Sequence, residues 1–215
     1  MSVWLPQVIF ESALIVVSIL VALGLDEWRE NRQDILVIRH ALASFAIEIQ
    51  QNKFRVEDAA PFNQGLKNVL ATHYVDDDVD TVDAFVTMVE SYSPVVLHST
   101  AWETALATGS LAKMKYELVS ALSLTYSLQG RYQAANNEGM QQIMSPQNLS
   151  EDKLKLAVYN SIRYLDSVTG MESELSVVYA EALALLAAEL GSDMPGGVVA
   201  DEVPNPLAKT APTQR

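Results

Sequence analysis

The sequence predicts an all-α protein with a single N-terminal transmembrane helix that continues into an amphipathic stalk and then a helical bundle. Three observations predict it. An unbroken apolar run opens the chain, a seven-residue apolar seam follows it, and helical spacing with cap and break residues recurs as far as Gly191. No stretch alternates apolar and polar residues between turn residues as a strand would. These features divide the 215 residues into an anchor (1–27), a stalk (28–60), a bundle (61–191) and a flexible tail (192–215).

Composition limits what the protein can do. Hydrophobic residues are 49% and charged residues 19%, which excludes wholesale disorder and allows a sizeable core. There is no cysteine, so disulfides, thiolate metal sites and a cysteine nucleophile are all excluded. The net charge of −13 argues against nucleic-acid binding, which needs clustered Lys and Arg to displace counterions from phosphates. The three histidines, His40, His73 and His98, lie far apart and give no metal-ligand spacing.

The anchor runs from Val8 to Leu25, and Glu11 is its one charged residue. Eighteen residues at about 1.5 Å each span roughly 27 Å, close to the hydrocarbon thickness of a bilayer. Trp4 and Trp28 flank the run about 36 Å apart, suited to the two headgroup layers as interface anchors. A buried core helix or a cleaved leader (Ala22-Leu23-Gly24 offers a small-x-small site) are the alternatives. The length of the run and the lack of Lys or Arg before it favour a retained helix. Glu11, Ser18 and Ala22 are spaced by seven and four, within about 40° of one another on a helical wheel. A carboxyl facing lipid costs several kcal/mol, so Glu11 is expected to face a partner (a second copy, or another subunit of a membrane complex), water or the interface. The alternative to a partner-facing stripe is a Glu11 shallow enough to reach headgroups, beside small residues placed by chance. Arg29, Arg32 and Arg39 follow the run, so the positive-inside rule leans the soluble part towards the cytoplasm.

In the stalk, Trp28, Ile35, Leu42, Ile49 and Val56 recur every seven residues, and Asn31, Ile38, Phe45 and Asn52 fall three after the first four. Ile35, Ile38, Leu42, Phe45 and Ile49 form the seam, either of a dimeric coiled coil or, since Leu36, Val37, Ala46 and Ile47 widen it, of packing within the chain. Pro61 is expected to stop this helix. Further helices are expected at 62–74, 82–92, from a capping box at Thr100–Glu103 to Gly109, at 111–144, and at 154–190. Pro94 and Pro146 should break, Ser150 should cap, and Gly170 offers a kink or split.

The polar groups do not assemble a recognisable catalytic site. Asp76, Asp78 and Asp80 open like a calcium loop, but Thr81 and Thr87 stand where Gly and Glu are needed. His98 near Trp102 and Glu103 lacks a placed nucleophile. Tyr126, Tyr132, Tyr159, Tyr164 and Tyr179 read as core or boundary residues, or as the lining of a pocket if the bundle is a small-ligand sensor. No catalytic residue, metal or cofactor is therefore expected.

The string FESALIVVSILVALGLDEWRENR resembles the opening of a widespread group of uncharacterised bacterial single-pass membrane proteins, a domain of unknown function. The shared features are Glu11, then Leu14, Ile15 and Val16, then Ala22 and Leu23, and a Trp-x-Glu exit at Trp28 and Glu30. A Glu-x-x-x-Asn matches at Glu48 and Asn52, and Trp102, Gly109, Leu111 and Tyr126 fit a looser segment of the same group. The resemblance covers roughly residues 8–130. Members often carry basic residues before the membrane helix, and this chain does not. What it implies is an anchor in the bacterial inner (cytoplasmic) membrane and an all-helical body, with no activity to carry over. The expected role is a non-enzymatic subunit or adaptor that contacts membrane lipid and either a second copy of itself or a membrane-protein complex.

Overall fold

A computed structural model describes residues 4–76, 81–90, 92, 94–143, 145 and 149–195, with backbone alone for 4–13, 15 and 140. Every regular element among them is helical: α1 (Trp4–Asp76), α2 (Val82–Glu90), α3 (Thr100–Thr108), α4 (Tyr116–Ile143) and α5 (Leu154–Leu190), with short 3-10 turns at Ser110–Lys113, Glu151–Lys153 and Gly191–Asp193.

The arrangement is an up-down-up-down four-helix bundle whose second leg is broken. Side-chain bonds fix the directions. Along α1 and α5 the partners run oppositely: Glu57 with Ser176, Asn63 with Glu172, Lys67 with Asp166. α4 also runs against α5, from Gln129–Tyr179 to Tyr132–Glu172. α1 and α4 are parallel and diagonal, joined across the centre by Glu48–Tyr126 and Asn52–Gln129. The second leg descends as α2, then an extended segment from Pro94 to Ser99, then α3. Pro94 has no N–H to continue a helix and disfavours helical backbone before it, which accounts for the break there.

The apolar spacing does the packing. Leu42, Phe45, Ile49 and Val56 of α1 meet Leu118, Leu122 and Tyr126 of α4 and Leu175, Tyr179, Leu183 and Leu186 of α5 in one core. Leu66, Leu70, Phe85, Val89, Leu154, Val158 and Leu165 form a second core at the far end. Gly109 ends α3 in the left-handed region (φ 68°), with its N–H donating to the carbonyls of Ala105 and Leu106. Gly191 closes α5, as its sequence position predicts.

Four expectations are corrected. Helix α1 does not stop at Pro61 but runs through it to Asp76, so the 60/61 boundary is not a helix end. A mid-helix proline costs about 3 kcal/mol. Continuing buries Leu66 and Leu70, each worth about 1.5–3 kcal/mol, and places Asn63 against Glu172, which outweighs that cost. Gly170 does not split α5, because packing on both flanks, Val168 and Glu172 included, holds it helical. Residue Ser99, not Thr100, caps α3, and its hydroxyl donates to Glu103 (2.6 Å). Before α4 there is a 3-10 turn at Ser110–Lys113, tied to the stalk by Lys113–Asp34, so α4 begins at Tyr116 rather than 111. Pro146 and most of the acidic run, 77–80, lie outside the described residues, as does the tail from 196.

Candidate functional site

The extended segment of the broken leg has no helical hydrogen bonds, and side chains of α1 and α4 supply replacements. The Asn52 carboxamide pairs with the His98 peptide in both directions, accepting from its N–H (3.0 Å) and donating to its C=O (2.7 Å). Gln129 Nε2 donates to the same carbonyl (2.8 Å), Gln133 Nε2 to that of Leu97 (2.7 Å), and Arg55 to that of Val96 (2.9 Å). One turn below, Glu48 Oε2 accepts the Ala101 N–H (3.0 Å), an otherwise orphan amide of the first turn of α3. Its other oxygen accepts the Tyr126 hydroxyl (2.7 Å), and Trp102 stacks on Tyr126 (5.4 Å, 20°). Burial pushes the Tyr126 hydroxyl above the ordinary phenol range, with the bond to Glu48 adding to the shift. Glu48, Asn52, Trp102 and Tyr126, quoted above for a sequence resemblance, thus converge on one clamp.

A second polar cluster lies towards the far end. Glu172, 2% exposed, accepts at Oε1 from Tyr132 (2.9 Å) and from Asn63 (2.6 Å). Asn136 Oδ1 accepts from Tyr92 (3.1 Å) and Tyr164 (3.0 Å). Glu172 Oε2 and Asn136 Nδ2 are buried without a partner. Desolvation raises the Glu172 carboxyl above its ordinary value, although the bonds from Tyr132 and Asn63 work against it. The ring of Tyr164 rests against Gly139, where a Cβ would overlap it.

Two cavities flank the thin extended segment. One of about 540 Å³ lies between α1 and α3, lined by Val37, His40, Ser44, Ile47, Glu48 and His98 among others. The other, about 580 Å³, opens between Phe54, Phe62 and Val96. Neither lies among the tyrosines. Tyr126, Tyr132 and Tyr179 are buried and donate within the bundle, and Tyr159 is exposed against Tyr74 (5.9 Å). Tyr164 alone of the five borders a further cavity, of about 340 Å³, together with Gly139, Ile143 and Arg163. Among the described residues no group of three or more His, Asp or Glu side chains is placed to hold a metal ion.

The seam residues divide along α1. Leu42, Phe45 and Ile49 are buried in the bundle, Ile38 is half-buried against the same core, and Ile35 is exposed. Asn52, which reads in sequence as an interruption of the seam, is buried as the clamp. Below Asp34, which Lys113 of the 3-10 turn holds, no other described helix covers α1. Leu14, Val16, Val17, Ile19, Leu20, Val21, Leu23 and Leu25 are each more than half exposed on an unbroken helix. Trp28 is exposed too, with the Arg32 guanidinium 5.1 Å over its ring. Ser18 donates to the Leu14 carbonyl (2.7 Å), and Ala22 is exposed. The side chains of Trp4 and Glu11 lie outside the described residues. Among the described residues one stretch, Glu151–Asp193, and not the arm of α1, is long and apolar enough to cross a membrane. It contains α5, whose apolar side is the centre of the bundle.

No protein family, curated protein or solved structure matches this chain.

Proposed function

We propose that the chain is a single-pass membrane protein whose N-terminal arm of α1 lies in the bilayer and carries the bundle beside it. In this reading it acts as a non-enzymatic subunit or adaptor of a membrane assembly. The observation that carries the reading is the bare arm: eight large aliphatic side chains between Leu14 and Leu25 stand exposed beyond the bundle. Leaving that much aliphatic surface in water costs on the order of 10 kcal/mol, comparable to the stability of a whole domain. Lipid removes the cost and satisfies the helix backbone internally. Arg29, Arg32 and Arg39 beyond the arm favour a cytoplasmic bundle at a bacterial inner membrane. Glu11, Ser18 and Ala22 are the residues proposed to meet a partner within the membrane.

The test is extraction followed by pull-down. The full chain should stay with membranes through alkaline carbonate, and in mild detergent it should run larger than a monomer. Glu11→Leu should keep insertion and weaken the association. Recovery of the chain in the aqueous fraction would end the reading, and a strictly monomeric detergent particle indifferent to Glu11→Leu would remove the partner-binding part of it.

A further inference from the structure

We propose that the outward face of α1, from Leu36 to Phe62 with α3 as its side wall, is the docking surface for the α1 of a second copy lying parallel to it. This deepens the reading of α1 as a membrane anchor and rests on it. The bundle covers α1 on the sides that carry Phe45, Asn52 and Lys53 and leaves the opposite side bare. On that side Leu36, Ile47, Phe54 and Phe62 are all exposed, Leu36 at 58% and Phe54 at 67%. Leu36 and Phe54 are eighteen residues apart, about five turns, so they lie on one line along the helix. Leu25, Leu36 and Ile47 follow one another at eleven residues, about three turns, and hold the same side of the helix.

Carried down by eighteen more residues, the line of Phe54 and Leu36 reaches Ser18, whose hydroxyl is turned back onto its own backbone. One side of a continuous helix thus runs unpartnered from the membrane segment to the bundle. Two copies anchored in one bilayer from the same side must present this helix parallel, which selects an isologous two-fold contact over an antiparallel one. The size fits. Leu36 to Phe62 is about 39 Å of helix about 10 Å wide, and α3 with its nine residues adds about 13 Å of the same width. The line continued down to Ser18 adds about 27 Å more, giving about 790 Å² per copy. A stable interface of standard size needs about 800 Å² per partner. The two cavities on either side of the extended segment supply the recess into which the neighbour's Ile47 and Phe54 would seat.

In a parallel two-fold pair each residue on the axis meets its own copy, and the chain has no cysteine to confuse the readout. Leu36→Cys, Ile47→Cys and Phe54→Cys in the full chain in native membranes should each give a disulfide-linked homodimer on mild oxidation. Leu124→Cys on α4 and Val177→Cys on α5, equally exposed but on other faces, should stay monomeric. Phe54→Glu should abolish the Ile47→Cys cross-link while leaving helix content and melting temperature unchanged, because Phe54 is not in the core. Absence of homodimer at all three positions, cross-links only to other proteins, or equal cross-linking on α4 and α5 would overturn the proposal. The same membranes are extracted with carbonate. A chain that resists extraction yet shows no homodimer sinks the interface alone, whereas a chain that extracts sinks the anchor as well.

Discussion

Asn52 and Glu172 are single residues on which the bundle's interior depends, for opposite reasons. Asn52 satisfies a peptide group that has no helix to belong to. Asn52→Leu leaves the part-buried His98 N–H without its partner and should cost about 1–3 kcal/mol, more than an ordinary surface change. Thermal or urea denaturation measures it, and a loss below half a kcal/mol would show that water replaces the carboxamide. Glu172 is a buried acid with a raised folded-state pKa. Its neutral form is the one the folded protein prefers, so the stability it contributes is present below its ordinary pKa of 4.5 and is lost as pH rises through the higher folded value. The groups facing it, Asn63 from α1 and Tyr132 from α4, are neutral and offer no countercharge. The melting temperature of the wild type should therefore fall relative to that of Glu172→Gln as pH is raised from 4.5. Parallel pH profiles for the two proteins would contradict this.

At the scale of the element, two glycines inside long helices look alike in sequence and differ in space. Gly170 is exposed in α5, and a methyl group there meets nothing within 4 Å. Gly170→Ala should stabilise by about 0.5–1 kcal/mol through helix propensity. Gly139 in α4 lies under the Tyr164 ring, so Gly139→Ala must displace a tyrosine held by Asn136 and should destabilise. Melting temperatures moving in the same direction for both would refute the distinction. The contrast also marks what the sequence could tell. Breaks set by backbone chemistry were legible: Pro94, the left-handed Gly109 and the close at Gly191 all stand where local rules put them. Features set by a distant partner were not. Pro61 reads as a stop because the burial of Leu66 and Leu70 on another helix is invisible locally. Asn52 reads as a flaw in a seam because its partner, the His98 peptide, is forty-six residues away. Thr100 alone has the capping-box spacing to Glu103, yet Ser99 stands at the cap and its hydroxyl donates to Glu103, a contact set by geometry. Of the candidate site, the sequence offers Glu48 and Asn52 as a spaced pair, but nothing in it says that they face the same segment.

At the scale of the whole molecule, the division of labour follows α1. Its upper part is the first leg of the bundle, and below Asp34 it has no neighbour among the described helices. If the lower part resides in lipid, a charge at its middle should be poorly tolerated: Leu20→Arg costs about 2.5–3.5 kcal/mol of insertion at the bilayer centre. The fraction of chain resisting carbonate should drop accordingly, while the same change at exposed Leu124 on α4 should leave it unaltered. Protease accessibility on intact spheroplasts reads the sidedness directly, and protection of the bundle is the outcome expected from Arg29, Arg32 and Arg39.

If the arm lies in lipid, the unbroken span of α1 from Leu25 to Asp76 makes a lever of about 77 Å. Membrane helices lean by about 20° on average, and such a lean would carry the far tip sideways by about 26 Å. A change in bilayer thickness of a few ångströms, by altering the lean, would be magnified at the distal tip into a displacement large enough to make or lose contact with a neighbour.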